Sequence, residues 1–100
     1  MNVKRTAYVL LAVAKGHRTT QELVAATSLP KEAIDRALRD HAKKLNVRLS
    51  RERIGEETHY TLEHWGMLDA NWLWPNERTL TEELGLPVLD THPRNILSLP

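Results

Sequence analysis

The hydrophobic pattern of this chain changes its period at Asn46, and that change limits the folds open to it. Before Asn46, apolar residues recur at the three- and four-residue spacing of helices that bury one side. After it, the apolar residues Val47 and Leu49 alternate with polar ones, which is the period of a half-exposed strand. The order predicts a mainly α fold with a small β-hairpin, in the α+β class.

The first predicted helix, residues 4–15, is apolar on both of its sides. It ends before Gly16, because glycine adopts the left-handed conformation at a helix end at little cost. A helix that is apolar all round is normally covered all round. We therefore expect a later part of the chain, or a second copy, to pack on the side opposite the three-helix core, which carries Tyr8, Val9, Ala12 and Val13.

The second and third helices are predicted from their start signals. Thr19 and Glu22 form a T-x-x-E capping box, which begins a helix that continues to about Ala26. Pro30 lies where the first turn of a helix tolerates proline, and the third helix runs from there to about residue 44 or 45.

A two-stranded hairpin is predicted over residues 47–54 and 57–62, with its turn at Gly55–Glu56. Alternation places Tyr60 and Leu62 on one side of the second strand. Three helices followed by a hairpin is the order of the winged helix-turn-helix fold.

Two short segments resemble known DNA-binding regulators. ATSLPKEAIDRAL is similar to the helix-turn-helix of IclR-type regulators, in which a turn ending in Leu-Pro leads into the recognition helix. THYTLEHWG is similar to the second wing strand and following helix of MarR-like regulators. The resemblance covers about residues 5–70 and implies a winged helix-turn-helix that binds DNA. The chain lacks the large effector-binding domain of IclR-type proteins, so the resemblance does not imply small-molecule sensing.

Charge is unevenly distributed along the chain. Residues 1–66 hold twelve Lys and Arg against eight Asp and Glu, whereas residues 67–100 hold two against five. A basic first part favours an anionic partner, and double-stranded DNA is the partner that the predicted fold suggests.

The candidate DNA-binding residues lie on the third helix, its flanking turn and the hairpin. The third helix would enter the major groove, and the hairpin would lie on the backbone or in the minor groove. The predicted helix also carries acids, and Glu32 and Asp35 precede Arg36 and Arg39 by four residues in the favourable order for ion pairs. We expect these acids to weaken binding to random DNA. The candidate residues are Thr20, Ser28, Lys31, Glu32, Asp35, Arg36, Arg39, Lys43, Arg48, Arg51 and Arg53.

The predicted function is therefore sequence-specific binding of double-stranded DNA by a small transcriptional regulator of the repressor type. The alternative is a winged-helix module that binds another protein, as an adaptor or inhibitor, without binding DNA. Coverage of Arg36 and Arg39 by the tail or a second chain would favour that alternative.

Residues 1–74 are interpreted as the winged-helix domain with a fourth helix over about residues 64–72, stopped by Pro75. Residues 75–100 form a proline-containing tail, with a short helix beginning at Thr79 or Thr81 and ending at Leu84. The tail is expected to dock on the domain or on a partner, because it contains the aliphatic residues Leu86, Val88, Leu89, Ile96, Leu97 and Leu99.

A homodimer is also predicted. Two copies would allow two recognition helices to reach two half-sites. The interface, or the surface on which the tail packs, would consist of Tyr8, Val9, Ala12, Val13, Trp65, Leu68, Trp72 and Trp74.

Several other classes of function are not expected. The chain has no cysteine, which fits a cytoplasmic protein, and its five histidines lack the spacing of a metal site. No serine has a histidine–acid pattern and no glycine loop could hold a phosphate, so we predict no enzyme, metal or cofactor. The run over residues 7–14 is too short for a membrane span, and we expect no signal peptide.

Overall fold

The structure is a computed structural model and describes residues 1–94. Within these residues the chain folds into five helices and one antiparallel two-stranded hairpin, which agrees with the predicted α+β class. The predicted tail residues Ile96, Leu97 and Leu99 lie outside the described residues. In chain order the elements are α1 (Val3–Ala14), α2 (Thr20–Thr27), α3 (Lys31–Arg36, then a π turn at Ala37–His41 and a last turn at Ala42–Lys44), β1 (Arg48–Ile54), β2 (Glu57–His64), α4 (Ala70–Leu73) and α5 (Glu77–Leu84).

Helix α1 is the centre of the core and ends where the sequence predicts. Gly16 has a φ of 102°, and its amide donates to the carbonyl of Val13. The next amide, that of His17, donates to the carbonyl of Ala12, which completes the hydrogen-bonding pattern of a glycine-terminated helix. Helix α1 is buried from Thr6 to Val13 on all sides.

The starts of α2 and α3 follow the predicted signals with two differences. Thr19 accepts a hydrogen bond from the Glu22 amide at 3.1 Å, as a capping residue does, but the Glu22 carboxylate accepts from the Arg18 amide instead of that of Thr19. Pro30 is the N-cap residue of α3, one position before the first helical turn. The turn between the two helices includes Ser28 in the left-handed conformation.

The hairpin is anchored to the helices at its second strand. The Arg18 carbonyl, in the α1–α2 connection, accepts a hydrogen bond from the Tyr60 amide at 2.8 Å. Leu49 pairs with Leu62, and both pack on the edge of the core, while most of β1 is exposed. Strand β2 reaches His64, two residues beyond its predicted end.

The fourth helix predicted over residues 64–72 is wrong. His64 is paired with Arg48 in the hairpin, and the chain then turns at Gly66, which has a φ of 63°. A Cβ on Gly66 would lie 2.4 Å from the Asn46 backbone, so only glycine fits against the end of α3. The helix that remains, α4, has four residues and is capped by Asp69. Strand pairing and this close approach determine the conformation of residues 64–72, although the spacing of their apolar residues also suits a helix.

Helix α5 begins earlier than predicted. Its N-cap is Asn76, and Thr81, one of the two predicted caps, is buried within the helix. The predicted end at Leu84 agrees with the structure, and Gly85 follows it with a φ of 65°.

The described part of the tail packs on α1 of the same chain. The Tyr8 hydroxyl donates to the Pro87 carbonyl at 2.5 Å, and the Lys15 ammonium donates to the Leu89 carbonyl at 2.9 Å. Lys15 also forms an ion pair with Glu77 at the start of α5, and both side chains are mostly buried. The side chain of Leu89 is buried in the common core.

The last described residues are joined to the α1–α2 connection. Arg94 makes two hydrogen bonds to the Glu22 carboxylate, at 3.0 and 3.2 Å, and a third to the Gly16 carbonyl. His17 and His92 meet edge to face, with ring centroids 5.4 Å apart. The second apolar side of α1 is therefore covered within one chain.

Candidate nucleic-acid interface

Helix α3 presents a polar face to solvent along its whole length. Its opposite face is held in the core by Ile34, Ala37, Leu38 and Ala42. Neither the described part of the tail nor α5 covers the polar face. The exposed predicted DNA-binding residues on it are Lys31, Glu32, Arg36, Arg39 and Lys43, and Asp35 is half-buried.

The intrahelical ion pairs expected on this face are not formed. Among the described residues, no ion pair within 4.0 Å joins Glu32 to Arg36 or Asp35 to Arg39. In the π turn, the Ala42 amide donates to the carbonyl of Ala37, five residues back. Side chains beyond Arg36 therefore no longer align with those four residues earlier in the helix. Arg39 instead contacts the neighbouring Asp40 at 3.3 Å.

A basic groove of about 870 Å³ separates the second half of α3 from the base of the hairpin. Four of the predicted residues line it, two from α3 and two from β1. We call it the basic groove; its charged lining residues are Arg39, Lys43, Arg48, Arg51 and the single acid Glu63.

The lining of the basic groove includes residues that were not among the sequence candidates, of which His64 and Met67 are two. His64 lines it at the end of β2, and Met67 lines it from the turn that follows. The alternation that runs through Tyr60 and Leu62 continues to His64, so the signal for His64 was present in the sequence. Met67 is placed by the Gly66 turn, and the apolar pattern contains no signal for that turn.

Arg51 is engaged within the protein. Its Nη2 donates to the Leu38 carbonyl, inside the π turn of α3, at 2.8 Å. Its guanidinium lies over the Tyr60 ring, with Cζ 5.6 Å from the ring centroid, and Tyr60 is its partner across the strand pair. Arg53, two residues further along β1, makes a contact of 3.4 Å with the nearby Gly55 carbonyl.

A second open groove, of about 620 Å³, lies between the start of α2 and the tip of the hairpin. The predicted residues Thr20, Lys31 and Asp35 line it, and so do Glu56 and Glu57 at the hairpin tip. The tip is therefore acidic, and the positive charge of the hairpin is concentrated at its base. Ser28, in the turn before α3, is exposed.

Burial, hydrogen bonds and nearby charges shift the pKa values of His41 and Glu22. Burial is the largest cause that lowers the pKa of His41 below its usual 6.5. The positive charges of the chain's N-terminus, Lys44 and Arg36 lower it further, and the nearby Asp40 acts in the opposite direction. Burial alone would raise the pKa of Glu22, but the hydrogen bonds from Arg94 and the Arg18 amide outweigh it and lower the pKa below 4.5.

The residues predicted for dimer or tail packing fall into two groups. The four on α1 are buried in the core of the single chain, so none is available to a second copy. Trp65 and Leu68 are partly buried against that core, whereas Trp72 and Trp74 are 50% and 42% exposed. Trp65 and Trp74 meet edge to face at 6.2 Å. The buried residues of α1 are Tyr8, Val9, Ala12 and Val13.

Exposed apolar residues gather at the start of α1. Val3, Met67 and Trp72 line an open groove of about 280 Å³ with Leu68 and Leu80 at its base. The sequence had assigned Trp72 to packing but had not singled out Met67.

Within the described residues there is no group of three or more His, Asp or Glu side chains that could hold a metal ion. No helix of the described part of the chain combines the length and the apolar character needed to cross a membrane.

The fold is similar to that of a solved protein. A DUF2131 family protein from Shewanella amazonensis SB2B superimposes with a TM-score of 0.73 over 85% of this chain and 84% of its own length, at 17% sequence identity. No protein-family model and no curated protein matches the chain. At this identity the likeness concerns the fold alone.

Proposed function

We propose that this protein is a winged-helix protein that binds double-stranded DNA sequence-specifically, as a small cytoplasmic transcriptional regulator of the repressor type. Helix α3 would lie in the major groove, and the base of the hairpin would lie on the phosphate backbone or in the minor groove. The observation that carries the proposal is the basic groove, in which cations from α3 and from β1 face the same open space.

The order of elements supports a winged helix. Helices α2 and α3 are joined by a short turn, the hairpin follows α3, and the hydrogen bond from Tyr60 to Arg18 joins the hairpin to the α1–α2 connection. A recognition helix needs a free outer face, because base edges are read by side chains that project into the groove. Arg36 and Arg39 are exposed in the single chain, as this function requires, whereas burial under the tail or a second chain would favour the adaptor alternative.

The charge distribution supports phosphate contact at the base of the hairpin more than at its tip. Apart from Arg51, the basic groove combines three cations, Arg39, Lys43 and Arg48, with one acid, and counterion release from DNA would favour this arrangement. Glu56 and Glu57 at the hairpin tip would repel phosphates, and Glu32 and Asp35 on α3 would reduce affinity for random sequence. A protein with few phosphate contacts depends more on base contacts for its affinity.

The decisive experiment is selection of bound duplexes from a random pool, followed by affinity measurements by fluorescence anisotropy at several salt concentrations. The Arg36→Ala/Arg39→Ala variant should lose affinity for the selected duplex by about 1–3 kcal/mol for each base contact removed. The Lys4→Ala/Arg78→Ala variant is the matched control. It removes the same charge from exposed positions on α1 and α5, and neither residue lines the basic groove.

Equal affinities of the two double variants would remove α3 from the interface. A folded wild-type protein that selects no sequence and binds no duplex at low salt would refute the proposal and leave the protein-interaction module as the better reading.

A further inference from the structure

The π turn in α3 and the hairpin are joined by a single side chain. The π turn at Ala37–His41 contains neither glycine nor proline, so the local sequence offers no ordinary reason for an irregular helix. The Leu38 carbonyl within this turn accepts a hydrogen bond from Arg51 of β1 at 2.8 Å. A side chain that bonds into the helical ladder is one of the known causes of such an irregularity.

Arg51 also reaches the rest of the fold through Tyr60. The guanidinium lies over the Tyr60 ring, and the Tyr60 amide donates to the Arg18 carbonyl in the α1–α2 connection. One continuous path of contacts therefore runs from the π turn of α3 through Arg51 and Tyr60 to the connection that precedes α2. Most of β1 is exposed, while Leu49 of that strand packs on the edge of the core.

We infer that Arg51 is a positioning residue, which holds the π turn of α3 and the hairpin in one relative geometry, and is not a phosphate contact. Its planar guanidinium suits both tasks, since it donates in the plane to the Leu38 carbonyl while its face lies on the aromatic ring of Tyr60. Arg39 lies within the same π turn and lines the same groove, so Arg51 sets where Arg39 projects. The binding part of this inference rests on the proposed function.

The free protein provides the first test, which needs no DNA. Hydrogen exchange of the Ala42 amide, which closes the π turn, would be measured by NMR relative to the Leu11 amide in α1. In Arg51→Ala, exchange at Ala42 should accelerate about tenfold more than at Leu11, the equivalent of one hydrogen bond. Arg53→Ala is the matched control, because it removes the same charge from the same strand and should leave the ratio unchanged. An unchanged ratio in Arg51→Ala would overturn the inference, whether or not DNA is bound.

The second test separates positioning from phosphate contact. Lysine keeps the charge and can bind phosphate, but it cannot reproduce the planar arrangement of Arg51 over Tyr60. Arg51→Lys should therefore lose affinity for the selected duplex as Arg51→Ala does, while the salt dependence of binding to random duplex stays at the wild-type slope in both. A wild-type affinity in Arg51→Lys, with a slope lowered by about 0.9 in Arg51→Ala, would make Arg51 a phosphate contact and overturn the inference.

Discussion

Two adjacent residues of the tail, Val88 and Leu89, test whether the tail stabilises the fold from within the same chain. Leu89 is 3% exposed and packs in the common core, whereas Val88 is 70% exposed. Truncation of a buried leucine to alanine costs about 2–5 kcal/mol, because transfer from water is lost and a cavity remains. A surface substitution away from special contacts changes stability by no more than about 0.5 kcal/mol. Leu89→Ala should therefore be strongly destabilising and Val88→Ala nearly neutral.

The free energy of unfolding would be measured by urea and thermal denaturation, followed by tryptophan fluorescence. Each 1 kcal/mol lowers the Tm of a domain of this size by about 4–8 °C, so Leu89→Ala should lower it by about 8 °C or more. The two variants differ by one position, which controls for general effects of altering the tail. Measurements over a range of protein concentrations would show whether the stabilising contact is made within the chain.

Equal midpoints for Leu89→Ala and Val88→Ala would refute the docking of the tail. A midpoint of the wild type that rises with protein concentration would show that the tail docks on a second copy, as the predicted dimer allows.

Three further outcomes follow from the environments of Val13, Tyr8 and Glu22. Val13→Glu should unfold the chain, because Val13 is 4% exposed and an unpaired buried carboxylate costs about 3–5 kcal/mol. The unfolding would be seen as loss of far-UV circular dichroism. A variant that stayed folded and changed only its mass in light scattering would support a dimer interface at Val13. Burial and the charge of Glu77 raise the pKa of Tyr8 to about 12, so stability should fall as pH rises from 10 to 12, where only the unfolded phenol ionises, and Tyr8→Phe should remove this dependence. The lowered pKa of Glu22 contributes stability that is present above pH 4.5 and lost as pH falls through its folded pKa; urea denaturation from pH 6 downward should show a smaller loss for Glu22→Gln.

Local signals in the sequence were sufficient for the frame of the fold. Gly16 ends α1, Thr19 starts α2, and the turn at Gly55–Glu56 joins the two strands as predicted. Each of these signals acts through hydrogen bonds or backbone angles within a few residues, so neighbours along the chain are enough to specify it.

The segment after the hairpin could not be predicted in this way. Trp65, Leu68 and Trp72 have helical spacing, but His64 belongs to β2 and Gly66 turns against Asn46. Pairing with β1 and contact with the end of α3 involve residues far along the chain, and they outweigh a periodic pattern that is only a weak preference for helix.

The candidate site was likewise predictable only in part from the sequence. Its charges on α3 and on the hairpin were evident in the sequence, because residue type and period place them on exposed faces of predicted elements. The π turn, and the use of Arg51 within the protein, depend on the meeting of Arg51 with Leu38, thirteen residues apart on different elements. Only the tertiary structure decides such a contact, because a guanidinium on an exposed strand can serve phosphate or protein equally well until its neighbours in space are known.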